Sequence, residues 1–313
     1  MSESTHNHSH AHSHAHGHGH GHGHGGGRMG WVIVFNIVIT VAEYVGGVLS
    51  GSLALLSDAS HNFSDVLSLA FSYFGEVVSR KKATKSHSFG LKRAEVVVAV
   101  VNAVSLCSLG FIIVIEAIRR FSQQREISLG IMLPVAVIGL AGNLLSVLLL
   151  RNSKDKNLNM RSAYLHLFYD ALSSVFVIIA SLAIAWTHWV SFDLIASLVI
   201  ASLMIWSGID VLRDALHIFM QGVPKDIDFD EALHAIASVE GVESVHDLHI
   251  WGIDSEEAFL SCHACVSQDK HSTEINELVQ KLNHILEERF RITHSAIQFE
   301  HVGVCDNKAV CCK

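Results

Sequence analysis

Six long apolar stretches fill most of the first 220 residues, at approximately 30–50, 53–79, 94–118, 128–150, 162–187 and 191–217. Each reaches or exceeds the roughly 20 residues that an α-helix needs to cross the hydrocarbon of a bilayer. In lipid, a backbone that satisfies its own polar groups is a helix or a closed barrel, and runs of this length read as helices. The chain is therefore expected to be a multi-pass α-helical membrane protein with six transmembrane helices. Its composition agrees, because 50% of the residues are hydrophobic and only 17% are charged, a more apolar balance than that of an ordinary soluble domain. The first apolar run has no small-residue cleavage pattern and reads as a span, not as a secretory signal. It is expected to end at Gly46-Gly47, with Ser50-Gly51-Ser52 turning the chain into the second span as a tight hairpin.

Basic residues orient the spans. The connection between spans 2 and 3 carries Arg80, Lys81, Lys82, Lys85, Lys92 and Arg93, and that between spans 4 and 5 carries Arg151, Lys154, Lys156 and Arg161. The 1–2 and 5–6 connections carry none, and Arg119, Arg120 and Arg125 on the other side are fewer. By the positive-inside rule both termini face the cytoplasm. The net charge of −8 and the short, scattered basic clusters exclude a nucleic-acid partner. With termini in the cytoplasm, the six cysteines are expected to be reduced thiols.

Outside the spans the chain changes character. Residues 1–28 contain ten alternating histidines between His6 and His24, a composition that builds no core and reads as a disordered, loosely metal-buffering tail. Residues 29–220 form the membrane domain. From Gly222-Val223-Pro224 onward a soluble domain spans 221–302, with a helix over 228–239, strands over 243–253 and 257–267, a second helix over 272–290 and a third strand over 293–302. The order αββαβ predicts a cytoplasmic, ferredoxin-like or metallochaperone-like sheet with both helices on one face. A cysteine-bearing tail, 303–313, closes the chain.

One short pattern occurs twice inside the spans: His61-Asn62-Phe63-Ser64-Asp65 in the second and His166-Leu167-Phe168-Tyr169-Asp170 in the fifth. On a helix, positions i and i+4 share a face, so each copy aims an imidazole and a carboxylate in one direction. Two such helices face to face offer two nitrogens and two oxygens, a tetrahedral set suited to Zn²⁺. An ionisable group at mid-membrane costs roughly 2.5–3.5 kcal/mol on insertion scales, so the two Asp require compensation by a cation or by protons. Protonation of His and carboxylate competes with metal near neutral pH, which points to exchange of metal for protons. Asp58, one turn before His61, is expected to line the ion's path. An intramembrane zinc hydrolase is disfavoured because no His-Glu-x-x-His motif occurs, and the chain is expected not to be an enzyme. A metal sensor that binds without transport is the alternative, but it has no need of buried carboxylates at mid-membrane.

These motifs, together with Ser52-Leu53-Ala54-Leu55-Leu56-Ser57-Asp58-Ala59, His87-Ser88-Phe89-Gly90 and His246-Asp247-Leu248-His249-Ile250-Trp251, give the chain a clear resemblance to the cation diffusion facilitators, and above all to their bacterial zinc exporters, over residues 30–302. The resemblance implies Zn²⁺ efflux from the cytoplasm by proton antiport and alternating access, with Cd²⁺, Co²⁺ or Ni²⁺ as further substrates. It implies a homodimer in the lipid of the bacterial inner membrane, one transport site per six-helix unit, and cytoplasmic domains that meet and bind regulatory Zn²⁺. In such proteins a His at the position of His61 goes with zinc. In the cytoplasmic domain the matching positions are His246, His263 and Glu300 or His301, with His271 as a further ligand. His246 and His263 lie on successive strands and are plausible cross-strand neighbours. In the 2–3 connection only His87 remains of a second metal site, with Thr84 and Leu91 where partners would stand. Cys305, Cys311 and Cys312 loosely resemble the cysteine tail of animal zinc transporters, and thiolates bind Zn²⁺ well.

Overall fold

The computed structural model describes residues 26–122, 126–151, 158–255, 257–267, 269 and 271–301, and their side chains except at 26–33, 35, 69, 72 and 149–167. The histidines of the N-terminal tail and Cys305, Cys311 and Cys312 lie outside the described residues.

Six long helices come first: α1 (Gly26–Ser50), α2 (Leu53–Ser79), α3 (Ala94–Phe121), α4 (Leu129–Arg151), α5 (Leu158–Thr187) and α6 (Ser191–Phe219). Among the described residues, α3, α6, Leu129–Leu148 of α4 and Phe168–Thr187 of α5 are long and apolar enough to cross a membrane, and α1 contributes the apolar run Asn36–Ser50. The second helix is diluted by Asp58, His61, Asn62, Asp65 and its serines.

Two compact units emerge from the fold. One is built from the chain up to Val66 and from Leu109–Leu203, the other from Leu67–Ser108 and the chain from Met204 onward. The first unit buries many polar groups beside its apolar ones and exposes apolar side chains. Glu43, Ser57, Asp58, Asn62, Asn143, Asp170, Ser173, Ser174 and Asp193 are buried, whereas Val38, Val41, Val48, Phe111, Ile112 and Ile179 are exposed. Exposed apolar side chains around buried polar groups suit a body whose solvent is lipid.

The first helix does not stop at Gly46-Gly47 but runs through both to Ser50. The pair serves close approach: a Cβ on Gly46 would lie 2.8 Å from both γ-carbons of Val135 on α4, and one on Gly47 would lie 2.8 Å from Cγ of Leu56 on α2. The chain reverses one step later at Gly51, whose φ of +75° favours glycine.

The second unit includes the soluble part: α7 (Phe229–Ala237), β1 (Ser244–Gly252), β2 (Ala258–Val266), α8 (Ser272–Phe290) and β3 (Ile292–His301). Asp228 caps α7 by accepting from the Glu231 amide at 2.8 Å. On α8 the buried residues Leu278, Leu282, Leu286 and Phe290 recur every fourth position, a single apolar stripe. The sheet order is β1-β2-β3, antiparallel between β1 and β2 and parallel between β2 and β3. Leu248, Ile250, Leu260, Cys262 and Ile292 of the sheet join Ala232 and Ile236 of α7 and the α8 stripe in one core. The αββαβ order thus closes around a core of its own. In this unit the connection between α2 and α3 touches the soluble part. Phe89 meets Phe259 edge-on at 5.5 Å, Lys92 pairs with Glu257, and Ser255 Oγ donates to Glu95 at 2.6 Å.

Candidate metal centre

His61 and Asp65 stand one turn apart on α2, with His61 Nε2 3.8 Å from Asp65 Oδ2. From α5, Asp170 brings Oδ1 to 3.6 Å from the same nitrogen. Ligand atoms of the three side chains all lie within 4.8 Å of one another, close enough for small side-chain movements to gather them about one ion. His166 lies one turn before Asp170 on α5, and its side chain is outside the described residues.

The surroundings hold these ligands in place. Asp58 is fully buried, accepting from Ser173 Oγ and, at 2.9 Å, from Ser174 Oγ. Asn143 of α4 donates to Ser174 Oγ at 3.3 Å, extending the chain of bonds to a third helix. Asp58, expected to line the ion's path, ties α2 to α5 one turn from His61. Glu43 of α1, also fully buried, accepts from Asn62 Nδ2 at 2.7 Å, next in sequence to the ligand His61. The cluster is thus fixed by hydrogen-bonded carboxylates on both sides, the kind of outer support that orients metal ligands.

A second group lies on the sheet. β1 and β2 pair His246 with His263, and their register shifts between His246 and His249, where Asp247 takes φ +51°. Asp tolerates this left-handed conformation better than most residues. The rings of His246 and His263 are 5.1 Å apart. Glu300 on β3 reaches both, Oε1 lying 2.8 Å from His263 Nδ1 and Oε2 3.4 Å from His246 Nε2. Cys265, opposite Glu300 in the β2–β3 register, brings Sγ to 3.8 Å from His246 Nδ1. Ligand atoms of His246, Cys265 and Glu300 lie within 4.8 Å of one another, and imidazole, thiolate and carboxylate together suit a zinc-type ion.

Sequence reasoning missed Cys265, although His263 and Cys265 are two apart on a strand and so share a face. Reduced thiols were expected throughout; Cys107 and Cys262 are free, but Cys265 is disulfide-bonded. Its sulfur becomes a thiolate ligand only on reduction.

Other expected ligands fall elsewhere. His271 is the exposed N-cap of α8, its amide donating to Glu274 Oε2 at 2.7 Å in a capping box; local helix geometry uses this residue. His301 is exposed and meets the Ser267 carbonyl at 3.3 Å, since strand alternation sends it to the face opposite Glu300. His87 is exposed and its backbone closes a turn with Thr84; it joins neither ligand group.

An apolar multi-helix body with an imidazole–carboxylate cluster in its polar interior, joined to a small α/β domain bearing a second cluster, defines a membrane protein that handles metal cations. Residues 31–220 match the family described as the cation efflux transmembrane domain, and residues 224–302 match the cation efflux protein cytoplasmic domain. The chain belongs to the cation efflux family and is a multi-pass membrane protein of metal-cation efflux. It is 39% identical to the cadmium, cobalt and zinc/H(+)-K(+) antiporter of Bacillus subtilis strain 168, over 90% of this chain and 92% of that one. Zinc transporter ZitB of Escherichia coli K12 is 37% identical, with 83% of each chain covered. Metal cation efflux system protein CzcD of Cupriavidus metallidurans is 36% identical, over 83% of this chain and 82% of that one. A solved metal-bound C-terminal domain of the CzcD transporter matches 24% of this chain and 99% of its own, at 38% identity and a TM-score of 0.22.

Proposed function

We propose that the chain exports Zn²⁺ from the cytoplasm in exchange for protons, with His61, Asp65, His166 and Asp170 as the transport ligands. The carrying observation is the convergence of His61, Asp65 and Asp170 within 4.8 Å, in a unit that buries polar groups and exposes apolar ones. The names of the relatives, zinc transporter and zinc/H(+)-K(+) antiporter, support both the ion and the coupling. Protons that replace the metal on the same imidazole and carboxylates keep the buried charge balanced when the site empties. Helix rocking exposes the site to each side in turn, and Cd²⁺, Co²⁺ and Ni²⁺ compete for it. Both termini lie in the cytoplasm of a bacterial inner-membrane protein, following the basic residues of the 2–3 and 4–5 connections. The protein acts as a homodimer joined through the cytoplasmic domain, and Zn²⁺ held by His246, His263 and Glu300 tightens that dimer. Flux in proteoliposomes tests the core of this reading. Zn²⁺ uptake driven by an imposed pH gradient, and lost in Asp170→Ala, is the expected result; undiminished flux in that variant refutes the site.

A further inference from the structure

The structure assigns Asp193 a role in metal binding that its position 23 residues beyond Asp170 conceals. We infer that Asp193 is a positioning residue: from α6 it holds the N-terminus of α2, the helix carrying His61 and Asp65, at the height where those ligands meet Asp170. The inference rests on the transport site proposed above.

Asp193 stands in the first turn of α6 and is 1% exposed. Its Oδ1 accepts from Ser52 Oγ at 2.5 Å and from the Ala54 amide at 3.2 Å, and its Oδ2 accepts from the Leu53 amide at 2.7 Å. Ser52 Oγ in turn accepts from the Leu55 amide at 3.0 Å, and the Leu56 amide reaches the Ser52 carbonyl at 3.3 Å. A helix leaves its first N–H groups without intrahelical partners. Here Asp193, about 140 residues away in sequence, and the serine it grips account for those of α2. Leu53, Ala54 and Leu55 are at most 4% exposed, so bulk water cannot take over the bonds. α2 and α6 both present their N-termini to this one carboxylate, and its charge complements both dipoles. The carbonyls of the preceding turn have other partners: Gly51 accepts from Arg120 Nη1 at 2.9 Å and Ser50 from the Ser128 amide at 2.9 Å.

A helix transmits axial slip along its length. At about 1.5 Å per residue, His61 lies roughly 12 Å and Asp65 roughly 18 Å beyond Leu53, so a shift at the cap is passed along the helix toward both ligands. The Asp58 bonds to Ser173 and Ser174 still hold α2 to α5 when Asp193 is gone. The ligand atoms therefore spread without the site disappearing, and the loss falls on affinity more than on turnover.

The test is Zn²⁺ uptake by the full chain in proteoliposomes, with equilibrium Zn²⁺ affinity measured in detergent against a chromophoric chelator. Removal of an orienting group around metal ligands costs on the order of 10–100-fold in affinity, and because the Asp58 bonds persist, Asp193→Ala is expected near the lower bound. KM and Kd should rise about tenfold while the maximal rate stays within about twofold. Asp193→Asn keeps one acceptor oxygen for the Leu53 amide and should fall between. A role confined to fold stability would lower the melting temperature and leave KM alone. KM and Kd within about twofold of wild type, in a monodisperse Asp193→Ala protein, overturn the inference. Should that variant fail to assemble, Ser52→Ala removes only the hydroxyl link and must raise KM about threefold; an unchanged KM is equally fatal. Asp170→Asn is measured alongside. If it transports with wild-type KM, the site assignment fails and takes this inference with it; if it is silent while Asp193→Ala is normal, only the role of Asp193 fails.

Discussion

Glu300→Gln is the sharpest perturbation of the cytoplasmic cluster, because this one carboxylate reaches both His263, at 2.8 Å, and His246, at 3.4 Å. Glutamine keeps the shape and removes the charge. The buried residues Leu248, Ile250, Leu260, Leu278, Leu282 and Leu286 form a core that lies wholly within the domain, so a fragment spanning 221–302 can be melted by itself. With Zn²⁺ at about 100 times its Kd, binding stabilises the wild-type fragment by about 2.7 kcal/mol. If the substitution weakens binding about 100-fold, the same free Zn²⁺ contributes only about 0.4 kcal/mol. A domain of this size shifts its Tm by about 4–8 °C per kcal/mol, so the zinc-induced rise should shrink from about 10–20 °C to about 2–3 °C. Circular dichroism melts with Zn²⁺ and with chelator, under a non-chelating reductant that keeps Cys265 a thiol, read this directly. Metal-free melting should differ little between the two proteins, since the carboxylate is partly exposed. An equal zinc-induced rise in both would refute Glu300 as a ligand and the cluster with it.

Packing and thiol chemistry give two further expectations. Gly46→Ala sets a methyl 2.8 Å from the γ-carbons of Val135 and should destabilise the detergent-solubilised protein by about 1–3 kcal/mol through overpacking; Val135→Ala in the same chain should recover most of it, as thermal unfolding would show. Burial pushes the Cys262 thiol from its ordinary 9.0 up to about 12, leaving a thiolate fraction of about 10⁻⁴ at pH 8 in the folded domain. Maleimide should therefore label Cys262 at least about a hundredfold more slowly than the urea-unfolded chain, followed by mass spectrometry. Because ionisation is disfavoured only in the folded state, this thiol's stabilising contribution is intact below pH 9 and declines as pH rises toward 12.

What could be read from the sequence was local. Span lengths, the αββαβ order and the one-turn spacing of His61 and Asp65 follow from hydrophobic periodicity and helical geometry, which operate over a few residues. The soluble elements lie within two residues of their expected ends, because Asp228 signals a cap and the Ile275–Leu286 repeat signals a helix. What escaped depends on contacts between distant segments. Nothing near Asp193 indicates that it caps α2, and nothing near Asp58 indicates that Ser173 and Ser174 meet it. Gly46-Gly47 looks like a helix end in one dimension and proves to be a packing surface in three. Cys265 was legible in principle, through its alternation with His263, but its alignment with Glu300 required the parallel register of β3.

The irregularity in β1 has a consequence for how this protein can change. Counting back along the strand from His249, which pairs with Ser261, a regular ladder would set Asp247 opposite His263; the extra residue sets His246 there instead. The donor presented on this face of the domain is thus selected by a residue count in the backbone. Were the ladder to regularise with the residue count unchanged, Asp247 would take the place of His246 opposite His263, setting an oxygen where a nitrogen now stands and shifting the preference of the face from borderline toward harder cations, whereas loss of Leu248 would regularise the ladder and keep His246 in place.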